Sequence, residues 1–225
     1  MLISIILPVL NEATTIEETL DALDGLEGER EVIVVDGGSA DGTAELAAPR
    51  ARVLRAPRGR ARQMNAGARA ARGEALLFLH SDTRLPPGAL RLVAEALRDP
   101  ACVGGGFRHR FDREGAYLRF TSRLANWRAR FLGLFFGDQG QFARREVFEQ
   151  VGGFPDVPLF EDWELSRKLR ARGKLVLLPE AVLTSARRVE RWGMGRALLT
   201  WYGLGCLYLL GVPPERLARF YGDIR

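Results

Sequence analysis

The first 98 residues alternate between short apolar runs and helical patterns, and this alternation constrains the fold more than any other feature of the chain. Apolar, partly β-branched runs predict strands at residues 2–7, 31–35, 52–55 and 75–79. The intervening segments predict helices at residues 11–25, 41–48, 60–71 and 86–98. Such alternation is typical of an α/β fold, in which helices flank a mostly parallel, Rossmann-type sheet.

Polar residues follow the first, second and fourth of these predicted strands. They are Asn11-Glu12, residues 36–41, and His80-Ser81-Asp82. Ligands of open parallel sheets bind beyond the carboxyl ends of the strands. We therefore expect the three groups to meet at one edge of the sheet.

Two of these groups have the chemistry of a ligand site. Two glycines follow Asp36, and glycine lets a ligand approach the backbone closely. The Asp36 carboxylate, at the end of a strand, can accept a hydrogen bond from a base or ribose. His80 and Asp82 project from the same side of an extended chain, and a divalent cation that also binds diphosphate needs only one or two carboxylates. The alternative is that Asp36 and Asp82 belong to ordinary turns and helix caps.

A third acidic group lies at the start of a predicted helix at residues 162–172. Glu161, Asp162 and Glu164 surround Trp163 there. Acids favour helix N-termini because of the macrodipole, which is a sufficient structural explanation. The functional alternative is a general base that deprotonates an acceptor hydroxyl.

The second half of the chain is less regular. It predicts strands at 103–111 and 139–143, a helix at 117–131, and two helices after residue 191 that are broken at Pro213-Pro214. We divide the chain into one domain at residues 1–185 and a helical C-terminal extension at residues 186–225. The extension mixes aromatic side chains with arginine, which suits packing on the domain or a homodimer, with a membrane interface as the alternative.

Charge and cysteine content narrow the class of protein. The net charge is +5, and residues 50–72 hold eight arginines and no acid. Such a segment suits a phosphorylated ligand, an anionic membrane or a solvated surface, but no motif supports nucleic-acid binding. The two cysteines lack metal-ligand spacing, and the N-terminal apolar run is interrupted by Pro8, Asn11 and Glu12. We expect a cytoplasmic protein, with the inner face of the membrane as an alternative location.

The chain resembles the family-two glycosyltransferases of the GT-A fold. An ordered series of motifs between residues 2 and 172 carries the resemblance: LPVLNE (7–12), VDGGSADGT (35–43), NAG (65–67), ARGE (71–74), FLHSDT (78–83), VGGF (151–154) and Glu161-Asp162. It is similar to a bacterial branch with an HxDT metal motif.

The resemblance implies an inverting transferase that moves a sugar from a nucleoside-diphosphate donor to an acceptor hydroxyl. Pro8, Asn11 and Glu12 would line the nucleoside pocket, and Asp36 would contact the base. The metal, Mg²⁺ or Mn²⁺, would be bound by Asp82. The acceptor, whether lipid, metabolite or glycan, is not identified.

Asp162 would be the catalytic base in this scheme. Further contacts to the diphosphate or acceptor are expected from Gln139, Glu161, Trp163, Arg187 and Arg188. Surface charge, a strand edge and core packing are the alternatives for these five.

Two positions depart from the family pattern. His80 stands where an acid is usual, so it is expected either to bind the metal or to support Asp82. Met64 stands where arginine is frequent, and we expect Arg62, or else Arg60, to supply that contact.

Two other functions compete with glycosyl transfer. A sugar-nucleotide nucleotidyltransferase would need a glycine-rich basic loop after the first strand, where this chain has Pro-Val-Leu-Asn-Glu. A non-catalytic nucleotide-sugar-binding protein would lack the metal acid or the base, yet Asp82 and Asp162 are both present.

Overall fold

The computed structural model describes residues 1–221, apart from the side chains of Arg188, Met194 and Leu198. Its strands form one eight-stranded sheet in the order β3-β2-β1-β4-β7-β6-β8-β5. The strands are β1 (Ile3–Val9), β2 (Arg30–Asp36), β3 (Arg52–Arg55), β4 (Ala75–Phe78), β5 (Thr83–Arg84), β6 (Cys102–Phe111), β7 (Gln141–Arg144) and β8 (Lys174–Thr184).

Helices cover the sheet and continue to the end of the described chain. They are α1 (Ile16–Asp24), α2 (Thr43–Ala47), α3 (Arg60–Ala70), α4 (Ala89–Ala96), α5 (Ala116–Leu132), α6 (Arg145–Gln150), α7 (Glu161–Arg170), α8 (Arg187–Trp192), α9 (Met194–Leu198), α10 (Leu204–Leu209) and α11 (Pro214–Tyr221). A 3₁₀ turn spans Gly137–Gln139, and a π-helical turn spans Leu199–Gly203.

Strand β1 shows why the sheet forms. Ile3, Ile5 and Leu7 pack on one face with α1 and α4, and Ile6 packs on the other face with α3. Each such buried aliphatic side chain contributes about 1.5–3 kcal/mol. Parallel pairing of β1 with β2 and β4, and of β2 with β3, places the carboxyl ends of all four strands at one edge. The predicted α/β fold is therefore confirmed.

Three elements were missed by the sequence pattern: β5 in the first half of the chain, and α6 and β8 in the second half. β8 is the longest strand, and its parallel register with β6 skips Pro179 and Glu180, because Phe107 faces Leu178 and Arg108 faces Ala181. Proline is tolerated at such a bulge because no ladder hydrogen bond is needed there. The other missed elements are β5, which pairs with the end of β8, and the short helix α6.

The helices after residue 186 pack on the rest of the molecule through two small apolar clusters. Ala186, Val189 and Ala197 contact Phe111, and Leu204 and Leu217 contact Leu159. Among residues 1–221, no helix combines the length and the hydropathy that crossing a bilayer requires. The domain boundary at residue 185 stays a prediction.

Candidate active site

The loops that follow β1 and β2 are joined to each other by hydrogen bonds. The backbone N–H of Asn11 donates to the Ser39 hydroxyl at 2.9 Å, and its side-chain oxygen accepts from the Ala40 N–H at 3.0 Å. The N–H of Glu12 donates to the Thr43 hydroxyl at 2.9 Å. Asn11 adopts a left-handed conformation with φ 54°, which asparagine tolerates better than most residues. The two loops therefore form one rigid wall.

Two buried side chains complete this wall. The Asp36 carboxylate accepts from the N–H and hydroxyl of Ser39, at 3.1 and 2.5 Å, so it serves its own loop. The Gln63 amide, on α3, donates to the carbonyls of Val9, at the end of β1, and Val35, next to the end of β2, at 2.8 Å each. Gln63 also lines the cavity beside the loops, whereas Asp36 lies beneath the turn and is outside its lining.

The loop after β4 meets the end of β8. The Ser185 N–H donates to the Asp82 carbonyl at 3.0 Å, and the Asp82 carboxylate accepts a long bond of 3.5 Å from the Thr83 hydroxyl. A Cβ on Gly137 would lie 2.2 Å from Nε2 of His80, so only glycine allows the 3₁₀ turn to approach this histidine.

These loops border one cavity of about 380 Å³. The lining residues from the first half of the chain include Pro8, Glu12, Arg60, His80 and Asp82. Those from the second half include His109, Arg128, Asp138, Glu161, Asp162 and Trp163. The cavity thus brings together the groups that the sequence placed after β1, after β4 and at the start of α7.

The acidic pair of α7 is held by an unusual backbone. Phe160 precedes it in the left-handed region, with φ 66°, and a bulky side chain there is strained. Its ring stacks on Tyr208 at 4.6 Å between centroids, which holds this conformation. Burial and the neighbouring Asp162 raise the pKa of Glu161 to about 7, although Arg60 opposes the shift.

Asp162 is oriented by two backbone donors. The Gly137 N–H reaches one carboxylate oxygen at 2.8 Å, and the Trp163 N–H reaches the other at 2.7 Å. Burial raises the pKa of Asp162, and these two donors only partly offset that effect. A carboxylate with a raised pKa is better suited to accept a proton than a solvated one.

Arg60 balances the acids of the cavity. Burial lowers the pKa of its guanidinium, but the field of Glu161, Asp162 and Asp82 outweighs burial, and the net shift is upward. Arg60 therefore stays a cation among carboxylates, at a position suited to a donor diphosphate.

Three residues of the cavity were not singled out by the sequence. His109 is buried, with Nε2 at 3.5 Å from Asp138 and Nδ1 at 3.0 Å from the Ser122 hydroxyl. Among the described residues, neither His109 Nε2 nor Asp138 Oδ1 has a hydrogen-bond partner, although both are buried. Arg128 lies 3.5 Å from the ring centre of Phe136, and burial lowers the pKa of its guanidinium. One signal was available: the chain has two histidines, and both line this cavity.

Other predicted site residues lie elsewhere. Arg62 is exposed and pairs with Asp156 at 2.9 Å, so Arg60 is the arginine of α3 that lines the cavity. Gln139 is fully buried, accepts from Arg128 at 2.8 Å and donates to the Phe107 carbonyl at 3.2 Å, which is a structural role.

Two further predicted residues also stand apart from the lining. Arg187 is exposed, and Asn11 serves the loop. The side chain of Arg188 lies outside the described part of the chain.

The model of glycosyl transferase family 2 matches residues 4–152, which is more than half of the chain. The chain belongs to this family. The match includes the loops after β1, β2 and β4 and ends before the acidic pair of α7.

Solved structures of glycosyltransferases share the fold. A mannosyltransferase from Pyrobaculum calidifontis, solved with GDP-Man and Mn²⁺, superposes on 97% of this chain and 67% of its own, with TM-score 0.68 and 23% identity. S. aureus TarS in complex with UDP superposes on the whole chain and 70% of its own, with TM-score 0.63 and 17% identity. These similarities confirm the GT-A-type architecture of this family member.

Curated relatives match part of the chain. A protein from Mycobacterium tuberculosis is 42% identical over 113 residues, which is 47% of this chain and 35% of the relative. An undecaprenyl-phosphate 4-deoxy-4-formamido-L-arabinose transferase from Shewanella sediminis is 33% identical over 138 residues, or 55% of this chain and 41% of the relative. The matched segments thus span about two fifths of these relatives or less.

Proposed function

We propose that this chain is an inverting, metal-dependent glycosyltransferase that moves a sugar from a nucleoside-diphosphate donor to an acceptor hydroxyl. The observation that carries the proposal is that one cavity is lined by both Asp82 and the oriented carboxylate of Asp162. Inverting displacement needs a base on the face of the sugar opposite the leaving group, and the cavity has both parts.

The donor nucleotide is assigned to the wall formed by the loops after β1 and β2. Pro8, Glu12 and Gln63 line the cavity there. Asn11 and Asp36 would act through the shape of these loops, since their polar atoms bond within the wall. Relatives with solved structures contain GDP-Man or UDP, which supports a nucleoside-diphosphate donor of unspecified base.

The groups near Asp82 fit a divalent cation. Among the described residues, no three His, Cys, Asp or Glu side chains cluster to hold a metal by themselves. A hard cation that binds diphosphate takes most of its ligands from phosphate and water, so that one protein carboxylate is enough. Asp82 would hold Mg²⁺ or Mn²⁺, with His80 as ligand or support, and the bound cation would stabilise charge on the leaving diphosphate.

The chain's own residues would then carry out the transfer. Arg60 neutralises the diphosphate from the side of Glu161 and Asp162. Asp162, fixed by the N–H groups of Gly137 and Trp163, accepts the proton of the acceptor hydroxyl. The oxygen of that hydroxyl forms a bond to the anomeric carbon of the donor sugar, while the bond between the anomeric carbon and the diphosphate breaks.

The remaining polar groups of the cavity are assigned to substrate hydroxyls. His109 Nε2 and Asp138 Oδ1 lack hydrogen-bond partners among the described residues. The carboxylate oxygen is therefore available to accept a hydrogen bond from a substrate hydroxyl, and the imidazole nitrogen to donate or accept one. Trp163 also lines this side, where an indole face suits a sugar ring. The lipid-phosphate acceptors named for curated relatives make a lipid one candidate acceptor, beside a metabolite or a glycan.

A donor panel tests the proposal. UDP-, GDP-, ADP- and dTDP-sugars are incubated with the protein and Mg²⁺ or Mn²⁺, and released nucleoside diphosphate is measured. One donor should give metal-dependent release that Asp82→Ala and Asp162→Asn both abolish. Release that is unchanged in both variants would contradict the assignment. If donor hydrolysis without acceptor is below detection, the shift in melting temperature caused by each nucleotide with metal is measured instead. The absence of stabilisation by every nucleotide would also contradict the assignment.

A further inference from the structure

Exposed hydrophobic side chains are concentrated on two elements of the molecule. Twelve large hydrophobic side chains are exposed among the described residues, and nine of them lie on α5 or between residues 199 and 220. Those on α5 are Phe120, Trp127, Phe131 and Leu132. Those of the C-terminal segment are Leu199, Leu207, Leu209, Leu210 and Phe220. Concentrated apolar surface of this kind marks an interaction site, whereas scattered single residues do not.

The α5 residues form a regular stripe. Phe120, Leu124, Trp127 and Phe131 recur at intervals of four, three and four residues, which places them on one helical face. The buried residues of α5, among them Ala125 and Ala129, lie on the opposite face and pack on the protein. The stripe is therefore left on the outside after α5 has packed.

The surroundings of this surface are basic. Helix α5 contains no acidic residue and has Arg119, Arg123 and Arg130 along one side of the stripe, of which Arg119 pairs with Glu114 at 3.3 Å. From residue 191 to residue 221 there are four arginines and one acid, Glu215. A symmetric contact between two copies would bring these like charges together. Anionic lipid headgroups complement them instead.

The same surface is continuous with the lining of the cavity at two residues. Trp127 and Leu209 are 52% and 69% exposed, and both also line the cavity, one from α5 and one from α10. Leu124, also on α5, and Trp201, in the π-helical turn before α10, are further apolar residues of the cavity lining. A surface that lies against the stripe would therefore also face the mouth of the cavity.

We propose that the face formed by α5 and residues 199–220 docks on an anionic lipid bilayer. The apolar side chains would enter the headgroup region while the arginines pair with lipid phosphates, as interfacial helices do. This inference rests on the exposed residues and not on the proposed function. Its consequence does rest on that function: an acceptor held in the bilayer would enter the cavity directly from the membrane.

Vesicle sedimentation of the full chain tests the inference. Phosphatidylcholine vesicles with and without phosphatidylglycerol are compared at low and high salt. The protein should sediment with the anionic vesicles, and high salt should release most of it. Failure to bind anionic vesicles at low salt, or equal binding to both vesicle types, would overturn the proposal.

Matched variants locate the surface. Phe120→Ser with Phe131→Ser should reduce the vesicle-bound fraction roughly tenfold. Arg123→Glu with Arg130→Glu should remove the preference for anionic lipid. The control is Leu46→Ser with Leu183→Ser, which changes two exposed leucines elsewhere and should leave binding unchanged. An equal loss in the control would overturn the assignment of this face, and far-UV melting checks that each variant is folded.

Two further measurements separate the competing explanations. Sedimentation velocity in the absence of lipid reports self-association, and a dimer that Phe120→Ser with Phe131→Ser dissociates would assign the face to a second copy and overturn the lipid proposal. Metal-dependent nucleotide binding by the same samples reports on the proposed function, so that a failure to bind vesicles and a failure to bind nucleotide are distinguished.

Discussion

The two walls of the cavity are built in different ways. The wall from the first half of the chain consists of short loops after parallel strands, joined by hydrogen bonds such as those of Asn11 and Gln63. The wall from the second half is apolar and aromatic. Among its charged groups, Arg128 is fixed by Gln139, the Leu134 carbonyl and the Phe136 ring, whereas Asp138 Oδ1 lacks a hydrogen-bond partner among the described residues. The first wall suits a ligand of fixed shape, and the second is where chemistry and acceptor choice are expected to reside.

The largest effect should come from the base on the second wall. Asp162→Asn keeps the shape of the side chain but removes proton acceptance, so kcat should fall by about 10²–10⁴-fold. Binding of the nucleotide-sugar donor, which we assign to the first wall, should change little. Steady-state kinetics and nucleotide titration on the same samples measure the two effects. Normal kcat in this variant would remove Asp162 from the role of base.

The buried neighbour of the base should control the dependence of stability on pH. Glu161 releases its proton near pH 4.5 in the unfolded chain but near 7 in the folded protein. The folded state holds the extra proton, so the contribution of Glu161 to stability is full below pH 4.5 and is lost as the pH rises through about 7.

Glu161→Gln should remove this loss. We compare the free energy of unfolding of the variant with that of the natural chain. The difference, variant minus natural chain, should increase by about 3 kcal/mol from about pH 4 to about pH 8, since each pKa unit corresponds to about 1.4 kcal/mol. Urea unfolding at both pH values measures the difference. Parallel pH profiles for the two proteins would show that Glu161 titrates normally.

Two arginines that are two residues apart, and therefore on different faces of α3, provide a matched pair. Arg60→Ala removes the cation that faces the acids of the cavity, and kcat/KM should fall at least roughly tenfold. Arg62→Ala removes an exposed ion pair with Asp156, which contributes little to stability, and it should leave kcat/KM unchanged. A larger kinetic effect at Arg62 than at Arg60 would reverse the assignment of these two residues.

The smallest effect is expected where the walls touch. Gly137→Ala would place a Cβ 2.2 Å from His80, which should cost on the order of 1 kcal/mol of stability and lower donor-dependent turnover. His80→Ala in the same chain makes room for the added methyl and should recover the lost stability. Thermal melting of the two single variants and the double variant tests this coupling, and additive losses would contradict it.

The sequence predicted the first wall better than the second for a physical reason. Strands β1, β2 and β4 contain continuous apolar runs, and helices follow β1, β2 and β3 after loops of four to six residues, so local pattern is sufficient to predict these elements. The predicted start of α1 at residue 11 was wrong, because the chain first forms a loop whose hydrogen bonds reach Ser39 and Thr43.

In the second half, position depends on pairings that are distant in sequence. β8 contains Pro179 at a bulge, and it brings Ser185 to Asp82 across 103 residues of chain. His109 and Asp138 meet only because β6 and the 3₁₀ turn converge in the fold. The acids at 161 and 162 were identified from a motif, whereas no local pattern identified Arg128.

The most direct test of the proposed site is calorimetric titration of nucleoside diphosphates with and without Mg²⁺ or Mn²⁺, using the natural chain, Asp82→Ala and Asp162→Asn. We predict that the natural chain binds one nucleotide only when metal is present. Binding by Asp82→Ala should no longer depend on metal, whereas binding by Asp162→Asn should still depend on it. Equal, metal-independent binding in all three proteins, or no binding of any nucleotide with metal, would contradict the assignment of the cavity to a nucleotide-sugar donor.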